Sequence, residues 1–305
     1  MSEAASTRLR SVFDRPYPLL VLSVTGWAAT AVAGRLAVGH VSPNAIVTLR
    51  LLIVLLVLPL VAREAIVRDW RALLAHWRYV LPMGAIGYTL FSVFFYWAAH
   101  RTTAINMGMI QGTSPGLILV GGFLVFGTRF SLRQALGVVV TLIGVATVAS
   151  HGSWEALRAL ELNLGDLAVF GAALCYSGYT IALRWRPPVS PMALFAGMTF
   201  AAFLTSLPLL ALEGWQGALL WPDAYGWALM LFIGLIPSFL SQIGYMRGVS
   251  LIGPGRAGVF INLMPVIAAI LGVVVLGETF APYHAVALAF VLGGIWLAER
   301  RAADA

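Results

Sequence analysis

The sequence predicts an all-α integral membrane protein, with ten transmembrane helices arranged as two inverted five-helix repeats around a central cavity. Three observations carry this expectation. The 305 residues are 60% hydrophobic and only 10% charged, where an ordinary soluble domain is about 25% charged. Apolar runs of about 20 residues, enough to cross a bilayer as helix, recur along the whole chain, without the alternation of a membrane β-barrel. The stretch VSPNA at 41–45 returns as VSPMA at 189–193, a shift of 148 residues. Lipid offers backbone groups no water, so each run is read as a helix that satisfies its own hydrogen bonds.

In chain order, a tail at 1–16 leads into a first span at 17–39 that carries Trp27 and Thr30. It exceeds a signal-peptide core and lacks a small-residue cleavage site, so it reads as a retained span. The second span, 43–62, opens on Pro43 and contains Arg50. Residues 63–80 place Ile66, Trp70, Leu73, Leu74 and Trp77 on one face between arginines, the pattern of an interfacial helix. The third span, 78–98, presents Tyr88, Phe91, Ser92 and Phe95 at helical spacing; the fourth, 103–126, holds Asn106, Gln111 and Pro115; the fifth, 132–149, closes a first repeat over 17–150. An external interfacial connector is expected at 151–163. The second repeat, 164–299, runs through 164–184, 190–212, 224–246, 254–276 and 282–299, before a tail at 300–305. The single cysteine, Cys175, lies within the sixth span, which excludes a disulfide framework and a cysteine metal cluster.

At a shift of 150, SPGLILVGGFLVFGTRFSL aligns with MPVIAAILGVVVLGETFAP, so that Pro115 meets Pro265, Gly122 meets Gly272, Gly127 meets Gly277 and Phe130 meets Phe280; Gly144 likewise meets Gly294. Five spans per copy is an odd number, so the second copy enters the membrane from the opposite side. Inverted repeats suit secondary transporters, whose halves exchange conformations about a site near mid-membrane. All 19 basic residues are arginine. Arg8, Arg10, Arg15, the group from Arg63 to Arg78, Arg129, Arg133, Arg184, Arg186, Arg247, Arg256, Arg300 and Arg301 fall on one side, against Arg35, Arg101 and Arg158 on the other. The positive-inside rule then places both termini in the cytoplasm. The net charge of +7 is scattered over short connectors and forms no basic stripe for nucleic acid.

The ten-span layout, the two halves, and the stretch INLMPVIAAILGVVVLGETFAPYHAVALAFVLGGIWL resemble the EamA branch of the drug/metabolite transporter superfamily over nearly the whole chain, and within it the YddG-type exporters of aromatic and other neutral amino acids. The resemblance implies a multi-pass carrier of the bacterial inner membrane. The family pattern carries a Glu after the Gly that ends the fourth span of each half. Glu278 matches it in the second half, whereas the first half has Thr128.

A substrate site is expected where polar and aromatic groups lie inside spans. Tyr88, Phe91, Ser92 and Phe95 map by the 150-residue shift onto Ser238, Ser241, Gln242 and Tyr245, so both halves mark the same face. Tyr176, Tyr179 and Thr180 share a face of the sixth span, and Trp27, Gln111 and Asn262 complete the candidate lining. The same stripes also suit helix packing glued by small polar groups. Pro115, Pro237 and Pro265 are candidate gating hinges or fixed kinks, since each removes a backbone donor. Arg50 either snorkels to the outer interface or partners a substrate carboxylate. The aromatic, mostly uncharged lining suits a neutral or zwitterionic solute with an apolar or planar part, such as an amino acid.

No Asp or Glu falls mid-span, and a carrier coupled to protons normally keeps one there, so uncoupled facilitated transport is expected. A proton-coupled exporter, a channel and a lipid flippase are the alternatives on the same scaffold. GTSPG at 112–116 matches G-x-S-x-G, but Ser114 lies in an apolar helix with no histidine at that depth, which argues against a hydrolase. No metal set, nucleotide motif or cofactor is expected. The chain's partners are then its solute and the bilayer, with a monomer sufficient and a dimer compatible.

Overall fold

The computed structural model describes residues 14–128, 131–153 and 163–299, so most of the expected tails, most of the 151–163 connector and Phe130 lie outside the described residues. Among the described residues every regular element is helical. In order they are α1 (Pro16–Leu36), α2 (Pro43–Val57), α3 (Pro59–Ala75), α4 (Trp77–Ala99), α5 (Ala104–Gln111), α6 (Ser114–Phe126), α7 (Leu132–Ala149), α8 (Leu164–Ala182), α9 (Pro191–Trp215), α10 (Ala224–Ile252), α11 (Pro254–Gly258), α12 (Met264–Leu276) and α13 (Pro282–Glu299). Among them eight stretches are long and apolar enough to cross a membrane, with α5 and α6 forming one and α11 and α12 another. A ninth is the pair α2 and α3, bent by 81°. The last expected span, at 282–299, is the shorter apolar helix over Pro282–Ala298.

Both VSP stretches start helices, with a serine before a proline whose missing N–H costs nothing in a first turn. Ser190 caps α9 by accepting from the Ala193 amide. Ser42 instead donates to Glu213 at 2.6 Å, and Glu213 also accepts from the Asn44 amide at the start of α2. Asp69 on α3 returns the favour, accepting from the Ser190 amide at 2.8 Å. Each half thus lends a carboxylate to the start of the other half's second helix, where the helix dipole favours negative charge.

The second span differs from its expected course at 43–62. Pro59 has no N–H to continue the ladder of α2, so the chain turns through 81° and begins α3. The expected amphipathic face then divides. Ile66 and Leu73 pack inward, while Trp70, Leu74 and Trp77 stay exposed, with Arg71 and Arg78 over the two indole rings.

Two departures from α geometry position the site. A π-turn interrupts α4 at Ala85–Leu90 and another interrupts α10 at Ile236–Leu240. α6 and α12 follow breaks in the fourth and ninth spans, have 13 residues each, and end on left-handed Gly127 (φ 64°) and Gly277 (φ 67°). These pairs recur near the 150-residue shift.

The helices α7 and α13 pack closely along their length. A Cβ on Gly137 would stand 2.5 Å from the Gly294 carbonyl, and one on Gly294 would stand 2.5 Å from the Gly137 carbonyl. Backbone yields less than side chains, so Gly294→Ala is expected to cost about 2 kcal/mol or more by overpacking. Gly293 has nothing within 4 Å of its would-be Cβ, and Gly293→Ala is expected to stabilise slightly through helix propensity. Thermal unfolding of the two neighbours in detergent separates packing from propensity.

Candidate functional site

The centre of the bundle is built on the two π-turns. Pro237 has no N–H to offer the Ile233 carbonyl, and the Ser238 hydroxyl donates to it instead at 2.7 Å. On α4 the Ser92 hydroxyl donates in the same way to the Tyr88 carbonyl. Each hydroxyl proton is thereby committed to backbone, leaving the oxygen as an acceptor. Arg50 supplies the donor to both, from Nη1 to Ser238 at 3.0 Å and from Nη2 to Ser92. It also lies over the Tyr96 ring, 5.8 Å from the centroid. Arg50 therefore points into the bundle and ties one π-turn to the other; it does not snorkel to an interface.

No carboxylate pairs with Arg50 among the ion pairs of the described residues, and its Nε is buried without a hydrogen-bond partner. A half-buried guanidinium held only by hydroxyls and a ring is desolvated in part without an opposite charge beside it. Such a group is well suited to recognising a carboxylate.

The aromatic residues gather around it. Phe91 stacks on Phe95 at 5.7 Å, Tyr176 lies 6.0 Å from Phe91 and 6.1 Å from Tyr179, and Tyr88 meets Tyr179 at 5.5 Å, all between centroids. Trp27 on α1 packs on Tyr245 at 4.9 Å and donates its Nε1 proton to the Pro237 carbonyl at 3.1 Å. Trp27, Phe95, Gln111, Met107, Gly108, Met264 and Ala268 line a central cavity of about 20 Å³, room for roughly one water. Gln111 accepts from Ser114 at 3.4 Å and leaves its buried Nε2 unpartnered. In this conformation the centre is closed to anything of amino-acid size.

The residues singled out by spacing divide accordingly. Trp27, Phe95 and Gln111 wall the cavity, and Tyr88, Phe91, Tyr176 and Tyr179 continue its aromatic side. Tyr245 reaches it through Trp27, whereas Ser238 is held by Arg50, which does not line it. Gln242 and Asn262 are half-buried but do not line it. Ser241 occupies the place of a Cβ on Gly26, a contact between α1 and α10 rather than a site position. Pro115 and Pro265 are the second residues of α6 and α12, just after the helix breaks, and Pro237 lies in the π-turn.

Spacing alone missed the acidic groups at the helix ends. Glu278 follows α12 and accepts from the Ala104 and Ile105 amides at 2.7 and 3.0 Å, so that it caps α5, and Arg35 stands 3.9 Å away. Asp166, buried in the first turn of α8, accepts from Thr102 and from Asn106, whose own carbonyl oxygen faces His284 Nε2 at 3.2 Å. The available signal was an acid beside a helix end. Its partners lie 60 or more residues away in the chain.

Long apolar helices enclosing a polar and aromatic centre define a multi-pass membrane transporter. The chain belongs to the EamA-like transporter family, whose pattern matches residues 15–150 and again residues 163–299. It is 25% identical over 219 residues to the uncharacterized transporter YetK of Bacillus subtilis, spanning 66% of that protein's length and 72% of its own. It is 24% identical over 287 residues to a probable terminal-alkyne amino-acid exporter of Streptantibioticus cattleyicolor, with 92% of each chain covered. A crystal structure with 19% identity superposes with a TM-score of 0.63 over 92% of this chain and 94% of the other, a likeness of fold. The family and these relatives are transporters, not enzymes.

Proposed function

We propose that this transporter exports neutral amino acids, aromatic ones included, across a bacterial inner membrane by alternating access and without a coupling ion. The observation that carries the reading is Arg50 inside the bundle, paired with no carboxylate among the described residues and lying over the Tyr96 ring. A substrate carboxylate would take the Arg50 Nε–H, the rings would receive an apolar side chain, and Tyr or Trp faces would hold the ammonium group. Gln111 would add a neutral donor. The name of the Streptantibioticus relative points to the same chemical class.

Ten spans as two inverted repeats, 17–150 and 164–299, fit the double family match, the paired π-turns and the paired Gly127 and Gly277. With both termini cytoplasmic, as the arginine bias favours, the end bearing Arg35, His100 and His151 faces outward. Pro115, Pro237 and Pro265 then mark the joints that bend as the cavity opens to one side or the other. One chain supplies every residue of the site, so a monomer suffices.

The test is uptake of labelled phenylalanine, leucine and glutamate by liposomes holding the purified protein, with and without an imposed proton gradient. Saturable uptake of the first two that ignores the gradient is expected. Gradient-driven accumulation would favour the proton-coupled exporter, non-saturating flux a channel, and lipid movement without solute flux a flippase.

A further inference from the structure

A second cavity lies at the opposite end of α5 from the first. It holds about 230 Å³ and is walled by residues that include Arg35, His100, Arg101, Thr103, Asn106 and His151. Among the described residues no Asp or Glu lines it. Two acids of the described residues stand nearby, Glu278 engaged with the amides of α5 and, at 3.9 Å, with Arg35 Nε, and Asp166 engaged with Thr102 and Asn106.

The donors, by contrast, are only partly used. Arg35 gives Nη1 to the Ala99 carbonyl at 2.8 Å, but its buried Nε makes no hydrogen bond. His100 Nε2 is likewise buried without a partner. Burial, then the charges of Arg101 and Arg35, push the His100 imidazole down from its ordinary range, so it is neutral at physiological pH. Arg101 lies flat on the Trp97 ring, 3.6 Å from its centroid. Two guanidinium groups and an imidazole thus border a space more than tenfold larger than the central cavity; among the described residues Glu278 pairs with Arg35 at 3.9 Å, and no carboxylate pairs with Arg101.

The helix α5 joins the two spaces. Thr103 and Asn106 at its start wall the second cavity, and Met107, Gly108 and Gln111 wall the first. At 1.5 Å per residue the two sets are centred about 6 Å apart along one helix.

We propose that this vestibule is a second binding site, which takes the carboxylate of a small organic anion between Arg35 and Arg101. Resting on the proposed function, that anion is the amino acid in transit at the outer side of the closed centre. Bidentate guanidinium pairing gives the site its preference for a planar carboxylate.

The test uses benzoate as the probe and the full-length protein in lipid nanodiscs, reading the fluorescence of Trp97 beneath Arg101. Benzoate is expected to produce a saturable change that benzylamine does not, and Trp97→Phe is expected to remove it. Arg101→Gln, at an exposed position that unfolding does not threaten, is expected to weaken benzoate binding about tenfold or more, and Arg35→Gln to act in the same direction. Unchanged benzoate affinity in Arg101→Gln, or an equal response to benzylamine, would overturn the proposal. Tighter binding of inorganic phosphate, or displacement of benzoate by phosphatidylglycerol in the disc, would overturn the assignment to a carboxylate. The two readings fail separately. Benzoate binding without amino-acid uptake defeats the proposed function alone, and uptake without a benzoate response defeats the vestibule alone.

Discussion

An Arg50→Gln protein is expected to take up phenylalanine about 100-fold more slowly than the wild type, and to unfold at the same temperature or a higher one. The two effects have one cause. Arg50 is a half-buried charge supported by Ser92, Ser238 and the Tyr96 face, and replacing a charge taken out of water by a neutral side chain is often neutral or stabilising. The function lost is recognition of a carboxylate, where a charge-assisted hydrogen bond contributes about 1.5–3 kcal/mol. Lysine is not expected to restore uptake, because its three donors radiate from one nitrogen and lack the planar fork by which Nη1 and Nη2 reach the two hydroxyls while Nε stays open. Uptake and thermal unfolding on the same preparation, with phenethylamine as a substrate lacking the carboxylate, check the account. An equal loss for phenylalanine and phenethylamine, or a lowered unfolding temperature, would assign Arg50 a structural role instead.

Replacing Glu278 should have the opposite signature. Its carboxylate caps α5 at two amides and faces Arg35, and losing a charged cap costs about 2 kcal/mol. Glu278→Gln is therefore expected to lower the unfolding temperature by roughly 5 °C, and to raise hydrogen exchange at the start of α5 by up to about 30-fold. The corresponding position of the first half is Thr128, and the helix start that corresponds to Ala104 is Pro254, which has no N–H to be capped. Thr128→Glu is accordingly expected to stabilise less than Glu278 does. This asymmetry gives a physical reason for the departure from the family pattern: where the partner helix begins with proline, one of the two amides that Glu278 caps has no counterpart. Exchange at Ala104 and Ile105 that ignores Glu278→Gln would refute the capping role.

Much of this architecture was legible because lipid imposes long apolar runs, and because a 150-residue repeat survives in Pro115 with Pro265 and in Gly127 with Gly277. The bend after Leu58 was not. The run continues apolar through Pro59, Leu60 and Val61, and hydropathy reports composition rather than direction. Helical spacing marked Tyr88, Phe91, Phe95, Tyr176 and Tyr179, whose rings form one chain of contacts. It overreached at Ser241, where the same face meets Gly26, and at Gln242 and Asn262, which lie off the cavity. One extra residue per π-turn shifts the register of everything after it, and only Pro237 hints at that shift in the sequence. The direction of Arg50 was equally hidden, since depth along a helix does not say which way a long side chain turns. The carboxylate caps by Asp69, Glu213 and Glu278 join residues more than 100 positions apart, beyond the reach of any local pattern.

The central claim is that one closed site opens to each side in turn, and counterflow tests it most directly. Liposomes preloaded with unlabelled phenylalanine should accumulate external labelled phenylalanine transiently above the level reached by empty liposomes, with no ion gradient present. Labelled uptake that is identical in loaded and empty liposomes would contradict alternating access at a single site.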